Sequence, residues 1–141
     1  MSNWTHVAGV IRIDDIRIGN ISIDFDKLIG KEATWENLYE DDLWEDIKLN
    51  PENYLPMGSE GSLEKSIWVN PDHSCIAAYT VSIFGDLRDH DDPDAIIRWF
   101  ENKIKEIYKY YAIRQATITV NNEYNGTKNW TFYYEDFKED T

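Results

Sequence analysis

Apolar and polar side chains alternate loosely over residues 7–13, and this pattern predicts a β-strand that ends near Asp14. A second stretch, residues 21–26, alternates more strictly and places Phe25 on its apolar face. It predicts a strand with one exposed side, and Gly30 breaks the pattern.

Two longer stretches have apolar residues at every third or fourth position, which is the spacing of a helix with one buried side. The first covers residues 35–49, where Thr34 can cap the start and Asn50-Pro51 stops the helix. Its predicted buried stripe consists of Trp35, Leu38, Tyr39, Leu43, Trp44 and Ile47.

The second helix has the clearest start in the chain. Asp92 is the expected N-cap, Pro93 takes the first helical position, and Asp94 lies near the positive end of the helix dipole. The apolar residues that then repeat on one face are Ile96, Phe100, Ile104, Ile107 and Tyr111.

The region between the two helices predicts a loop and a hairpin. Residues 51–62 contain two prolines and two glycines, which suits a surface loop. Residues 63–70 and 74–85 are two β-prone runs, and the proline between them favours a turn. Gly85 is expected to end the second strand.

A second hairpin follows the second helix. Residues 114–121 alternate, and Asn125-Gly126 offers a tight turn before residues 128–135. The order of elements is then strand, strand, helix, two strands, helix, two strands, without an internal repeat. This order predicts an α+β fold in a single domain, residues 1–141, with an antiparallel sheet that carries two helices on one face, close to a ferredoxin-like sandwich.

The composition is that of a folded but strongly acidic chain. With 27 acidic and 14 basic residues the formal net charge is −13, while six tryptophans and nine tyrosines argue against disorder. This charge repels nucleic-acid phosphates and anionic membranes and attracts basic surfaces. Because no run approaches a membrane span and no signal peptide is recognisable, we expect a cytoplasmic protein that binds neither nucleic acid nor membrane directly.

No catalytic constellation is recognisable in the sequence. The histidines are scattered, Cys75 has the apolar neighbours of a buried thiol, and no glycine-rich loop carries a phosphate-binding lysine. Ser59 and Ser62 could act as nucleophiles only with a base that the sequence does not identify. We therefore expect no enzymatic activity, no cofactor and no metal.

Two acidic groups nevertheless contain the residue types of a metal site. The first, ahead of the second helix, consists of Asp86, Asp89, His90, Asp91 and Asp92. Its spacing does not match an EF-hand, and helix capping and solvation explain these residues better than a cation does. In the second group, Asp14 and Asp15 could meet Asp24 and Asp26 as a two-metal site, although exposed acids at strand ends are the favoured interpretation.

The most unusual stretch is WENLYEDDLWED, residues 35–46, which holds six carboxylates and no basic residue. Neighbouring carboxylates on a helix repel by about 0.2–0.5 kcal/mol per pair, so local stability does not call for them. They serve either solubility or a basic partner. The candidate partner-binding residues are Glu36, Glu40, Asp41, Asp42, Glu45 and Asp46, with Asp86, Asp89, Asp91 and Asp92 as a second patch.

Three segments resemble parts of small bacteriophage and prophage proteins to which no activity is assigned. These segments are WTHVAGVIRID, GSEGSL and AAYTVSIFGDLRD. The resemblance spans most of the chain but transfers no functional residue. It implies an anti-defence role similar to that of anti-CRISPR proteins and DNA mimics, which occupy the nucleic-acid channel of a host enzyme.

The leading prediction is a non-enzymatic inhibitor that binds a basic, nucleic-acid-handling host protein, a CRISPR effector or a restriction enzyme, through its acidic surface. One alternative is a sponge for a nucleotide signal, with a base stacked on aromatic side chains and a phosphate at the amides of Gly58 and Gly61. That alternative needs local clustering among Lys65, Arg88, Arg98 and Arg114. Another is a structural or assembly protein, with a homodimer formed through the edge of the sheet.

Overall fold

The computed structural model describes residues 2–16, 23–33, 43–72, 76–90, 92–133 and 135. In chain order the elements are β1 (Trp4–Ile16), α1 (Phe25–Leu28), α2 (Leu43–Leu49), a 3-10 helix (Pro51–Asn53), β2 (Glu64–Val69), β3 (Ile76–Arg88), α3 (Pro93–Tyr108), β4 (Ala112–Asn122) and β5 (Gly126–Thr131). Within these residues the chain is an α+β protein with one five-stranded antiparallel sheet and three α-helices.

The sheet has the strand order β2-β3-β1-β4-β5, and every pair of neighbours is antiparallel. β1 therefore lies at the centre and pairs with β3 over its whole length. The pairs β2–β3 and β4–β5 are hairpins, as the turn residues predicted. β1 is joined to β2 through α1 and α2, and β3 is joined to β4 through α3.

One face of the sheet carries the hydrophobic core. Alternate residues of the central strands are buried there, as in the row formed by Val81, Ile11 and Ala116. α3 packs against β4 and β5 on this face. The α3 side chains that are fully buried are Ile96, Phe100, Ile104 and Ile107. α1 adds Phe25, whose ring meets that of Tyr79 edge-on at 5.3 Å between centroids.

The opposite face of the sheet is exposed and carries mostly small or polar side chains. Ala8 pairs with Phe84 on one side and with Thr119 on the other, and all three residues are exposed. The alternation in β1, β3 and β4 therefore separates a buried face from a solvated one, as the sequence pattern predicted.

Helix α3 confirms the sequence prediction closely. The Asp92 side chain accepts a hydrogen bond from the Ala95 amide at 3.2 Å, and Pro93 occupies the first turn. The helix ends at Tyr108 rather than at Tyr111, and its apolar stripe is buried as expected. None of the helices in the described part of the chain is long and apolar enough to span a membrane.

Several predicted strand limits are wrong. β1 extends beyond residues 7–13 on both sides, and β5 ends at Thr131 rather than at residue 135. Phe25 begins α1 instead of continuing a strand, because the Asp24 carboxylate caps that turn by accepting from the Lys27 amide at 3.2 Å. Residues 21 and 22 lie outside the described residues. β3 runs on past Gly85 to Arg88, since Gly85 pairs with Val7 in the sheet.

The stretch 51–62 is more than a surface loop. Tyr54 and Leu55 are 4% and 2% exposed, and Leu55 belongs to the core. The Leu55 amide donates to the Lys31 carbonyl and the Lys31 amide donates to the Asn53 carbonyl, each at 2.9 Å. This short pairing holds Leu55 in the hydrophobic core, so the prediction of a loop confined to the surface is wrong.

Candidate functional site

The acidic segment, residues 35–46, is described only from Leu43 onward, within α2. The candidate residues Glu36, Glu40, Asp41 and Asp42 lie outside the described residues, as does the rest of the predicted helix before Leu43. Of the two candidates that are described, Glu45 is exposed and Asp46 is partly buried.

Two apolar side chains of α2, those of Trp44 and Leu49, are exposed to solvent. α2 has no buried residue, and the exposed fractions of Trp44 and Leu49 are 48% and 77%. The predicted stripe is therefore not fully buried in the described half of the helix, where Trp44 is exposed and Leu43 and Ile47 are half-buried. Its other members, Trp35, Leu38 and Tyr39, lie outside the described residues. The result is a surface on which an indole and a leucine stand beside Glu45.

Asp46 fastens α2 to the body of the protein. Its Oδ2 accepts a hydrogen bond from the Tyr54 hydroxyl, and its Oδ1 accepts from the Asn50 side-chain amide at 3.1 Å. The Asn50 backbone amide also donates to the Asp46 carbonyl at 2.8 Å. Since the Tyr54 ring is buried in the core region, this carboxylate has a structural task in addition to any partner contact.

The same contact sets two ionisation states. The hydrogen bond from Tyr54 lowers the pKa of Asp46 below its ordinary value of 3.8, with a further contribution from Asn50. Burial, followed by the hydrogen bond to Asp46, raises the pKa of Tyr54 to about 12. Both shifts favour a neutral phenol that donates to a charged carboxylate.

Replacing Tyr54 by phenylalanine is expected to return the pKa of Asp46 toward 3.8. A carboxyl with a lowered pKa contributes stability above its ordinary pKa and loses it as the pH falls through the lowered value. We therefore expect wild type to hold α2 more firmly than the variant at pH 7, and the difference to close in acid. A carboxyl-detected NMR titration of Asp46 measures the shift, with Tyr110→Phe as the control; an Asp46 pKa unchanged by Tyr54→Phe would contradict the assignment.

The second acidic patch consists of residues with separate structural partners. Asp89 accepts from the Ser59 hydroxyl at 2.9 Å, and it has a positive φ of 58°. Asp92 caps α3 and lies 3.6 Å from a guanidinium nitrogen of Arg98. Asp91 lies outside the described residues. Their role in partner binding stays a prediction, and capping is confirmed for Asp92.

His6 stands between two carboxylates on the exposed face of the sheet. Its Nδ1 lies 2.6 Å from Asp86 Oδ1 and its Nε2 lies 3.6 Å from Glu123 Oε2. The hydrogen bond to Asp86 is the main cause that raises the pKa of His6 above its ordinary value. An imidazolium here offsets part of the negative charge of Asp86 and Glu123.

The described residues do not assemble the metal or catalytic groups considered from the sequence. Asp14 lies 3.2 Å from Arg114, Asp26 lies 2.5 Å from Lys65, and Asp24 caps α1, so these acids do not converge. No group of three or more potential metal ligands occurs among the described residues. Ser62, one candidate nucleophile, donates to the Leu63 carbonyl at 3.0 Å.

The basic residues required by the nucleotide alternative do not cluster. Each of the four residues pairs with carboxylates of its own. Arg88 lies 2.7 Å from Glu60, and Arg98 lies 3.6 Å from Asp92. Arg114 lies 3.2 Å from Asp14, and Lys65 contacts Asp26 and Glu32. The four cations are therefore held at separate places, and this form of the nucleotide alternative has no support in the geometry.

Residues 58–61 form a clamp on the end of β3 instead of a phosphate loop. The Gly58 amide donates to the Gly61 carbonyl at 3.0 Å, and the Ser59 amide donates to the Arg88 carbonyl at 2.9 Å. The Arg88 amide returns a hydrogen bond to the Glu60 carbonyl at 2.9 Å. These amides and carbonyls are already paired within the fold, so the clamp has a structural role.

A cleft of about 440 Å³ lies between α1 and the end of α3, and the sequence analysis did not predict it. We call it the tyrosine cleft; its walls are Ile23, Asp24, Lys27, Leu28, Glu106, Lys109, Tyr110 and Tyr111. An adjoining lysine cleft of about 680 Å³ is lined by Asp24, Asp26, Lys27, Gly30, Lys31, Glu52, Asn53, Lys103 and Glu106. The pair Tyr110-Tyr111 directly after a helix was the only signal in the sequence, and it carries no information about α1.

The edge strand β2 is a further exposed apolar feature. Ile67, Trp68 and Val69 are 39%, 54% and 41% exposed, and the sheet continues only on the β3 side among the described residues. Exposed edge strands are ready to pair with another strand. The homodimer through the sheet edge stays a prediction.

No protein-family model, curated protein or solved structure matches this chain.

Proposed function

We propose that this protein is a bacteriophage anti-defence inhibitor that acts in the host cytoplasm on a basic, nucleic-acid-handling protein, a CRISPR effector or a restriction enzyme. It binds without catalysis, through the acidic segment, residues 35–46, and its continuation in α2. The observation that carries the proposal is the exposure of Trp44 and Leu49 beside Glu45 on a helix without any buried side chain.

Exposed tryptophan is the part of this surface that solubility does not explain. An amphipathic helix normally buries its apolar stripe, and a tryptophan left in water forgoes a large burial energy. Tryptophan is also enriched among the residues that dominate binding energy at protein interfaces. A carboxylate-rich helix with an indole at its surface therefore suits a partner that has both an apolar pocket and positive charge.

The charge of the chain supports a basic partner. At a net charge of −13 the protein is attracted over long range to surfaces that are built to hold phosphates. The same charge opposes direct binding to DNA or RNA. The resemblance of three segments to phage proteins points to a host enzyme as that partner.

We also infer that the fold is a ferredoxin-like sandwich with an added edge strand. The support is the strand order β2-β3-β1-β4, with helical connections from β1 to β2 and from β3 to β4. Phe25 of α1 and the apolar stripe of α3 enter the same core cluster, which supports placing both helices on one face. In this arrangement α2 is an insertion in the first connection, free to serve a partner.

Neutralising five acids of the segment is expected to abolish capture of the partner from bacterial lysate. The variant changes Glu36, Glu40, Asp41, Asp42 and Glu45 to their amides and leaves Asp46, which holds Tyr54. We expect wild type to retain a basic nuclease or other nucleic-acid enzyme, identified by mass spectrometry, and to inhibit it. Capture should weaken steeply with salt, because screened surface charges supply the attraction.

A matched control removes the same charge elsewhere in the chain. Its five substitutions to amides are at Glu64, Asp72, Glu101, Glu139 and Asp140. The control should still capture the enzyme, whereas Trp44→Ala should lose it although its charge is unchanged. If the five-acid variant and the control retain the enzyme equally, the acidic segment is not the interface and the proposal fails.

A further inference from the structure

The tyrosine cleft and the lysine cleft have no part in the proposed function, and they differ in chemistry from the rest of the surface. They share Asp24, Lys27 and Glu106 and so form one composite groove. We propose that this groove binds a small ligand that joins a planar aromatic ring to a phosphate chain, of the nucleoside di- or triphosphate class. The ring lies in the tyrosine cleft and the phosphates lie along the lysine cleft.

Unpaired lysines are the first argument. Lys27 and Lys109 form no ion pair with any of the described residues, although the chain has nearly twice as many acidic as basic residues. Lys31 forms none within 4.0 Å, but its charge acts on the Asp46 carboxylate. Elsewhere in the described part of the chain, Lys65, Arg88 and Lys128 each form an ion pair with a carboxylate. Within the described part of the chain, the ammonium groups of Lys27 and Lys109 are therefore available to an anion from outside.

The local charge of the groove is less negative than that of the chain. Four lysines and four carboxylates line the two clefts, and one of those carboxylates, Asp26, is already paired with Lys65 at 2.5 Å. The side chains that line the groove therefore have a formal net charge of zero, whereas the whole chain has −13. Because charges more than about 8 Å away are largely screened at physiological salt, the charge of −13 does not keep a phosphate out of this neutral groove.

The walls of the tyrosine cleft suit a planar ring. Tyr110 is 76% exposed, and Tyr111, Leu28 and Ile23 are half-buried at the same cleft. The backbone amides of Tyr110 and Tyr111 both donate to the Ile107 carbonyl at 3.0 Å, which holds the backbone of the two tyrosines against the end of α3. Aromatic side chains of this kind stack on nucleobases regardless of base identity.

Size and polarity fit the same class of ligand. Volumes of about 440 and 680 Å³ lie in the range of about 300–1,000 Å³ that is usual for small-molecule sites. At the wall shared by the two clefts, the carboxylates of Asp24 and Glu106 are acceptors for hydroxyl groups. A sugar between the ring and the phosphates would place its hydroxyls there.

The test is isothermal titration calorimetry of the full chain with ADP, GDP and UDP. We expect saturable binding of at least one of them, and affinities at least about tenfold lower for ribose 5-phosphate, which lacks the ring, and for adenosine, which lacks the phosphates. The double variant Lys27→Gln, Lys109→Gln and the single variant Tyr110→Ala should each weaken binding by about tenfold or more.

Two control variants make the same chemical changes outside the groove. Lys105→Gln alters an exposed lysine of the same helix, and Tyr124→Ala removes a tyrosine that is 58% exposed in the β4–β5 turn. Both should bind like wild type. The proposal is overturned if none of the three nucleotides binds, if pyrophosphate binds as tightly as they do, or if the groove variants bind as well as the controls.

This inference is independent of the proposed function. Tyr110→Ala leaves residues 35–49 untouched, so capture of a basic partner should be unchanged in a variant that no longer binds nucleotide. If nucleotide binding fails while partner capture persists, only this inference fails. If partner capture fails while nucleotide binding persists, only the proposed function fails.

Discussion

Replacing Lys65 by methionine is expected to lower the free energy of unfolding by about 2–3 kcal/mol. The Lys65 side chain is 4% exposed, and its ammonium contacts Asp26 at 2.5 Å, Glu32 at 3.1 Å and the Gly30 carbonyl at 2.9 Å. Methionine keeps the apolar stem but leaves Glu32, which is 23% exposed, without its cation. Since Asp26 is 55% exposed, we place the loss below the about 3–5 kcal/mol of a fully buried pair.

Urea denaturation at pH 7 measures this loss. Lys105→Met is the matched control, because Lys105 is exposed on α3 and lysine and methionine have similar helix propensities. The control should remain within about 0.5 kcal/mol of wild type. If Lys65→Met were equally mild, the ammonium would contribute nothing net to the junction between α1 and β2.

Replacing Gly61 by alanine is expected to destabilise the protein by about 2–5 kcal/mol. Gly61 has a φ of +85°, a conformation that costs an L-residue about 1–2 kcal/mol. In addition, a Cβ at this position would lie 2.1 Å from the Asp86 carbonyl oxygen, so the clamp must move away from β3. Overpacking of this kind costs about 1–3 kcal/mol.

Gly126→Ala separates the cost of the positive φ from the cost of the steric clash. Gly126 has nearly the same φ, +88°, but a Cβ there would meet no atom within 4 Å. It should therefore cost only the conformational part, about 1–2 kcal/mol, in the same denaturation experiment. Equal losses at the two glycines would show that the clamp, residues 58–61, yields freely and does not hold the end of β3.

The start of α3 and the presence of the two hairpins follow from the sequence alone because their signals are local. An aspartate before a proline can cap a helix by accepting a hydrogen bond from an amide in the first turn. Asp92 accepts such a bond from the Ala95 amide. The positive φ that Gly126 adopts in the β4–β5 turn is a property of glycine itself. The coarse α+β class came from the order of these elements.

Local sequence signals could not predict which side chains are buried. The spacing of Leu43, Trp44 and Ile47 predicts an apolar side on α2 but not whether another segment covers it, and no described segment buries it. Leu55 shows the converse: it lies in a stretch rich in proline and glycine, yet its pairing with Lys31 carries it into the core. The same limitation made Phe25 look like part of a strand, since three alternating apolar residues are too few to separate a strand from one helical turn.

What the sequence by itself determined is therefore the charge of −13, the strongest helix, the hairpins and the alternation of the central strands, all of which depend on neighbours within a few residues. Only the tertiary structure decided that Lys65 is enclosed by acids, that the clamp closes on β3, and that α1 and the end of α3 line one cleft. Lys27 and Lys109 are far apart in sequence. They line one cleft because the chain between them forms β2, β3 and α3 and returns to the same side of the fold. No local pattern encodes such contacts, since they arise from the packing of separate elements on one core.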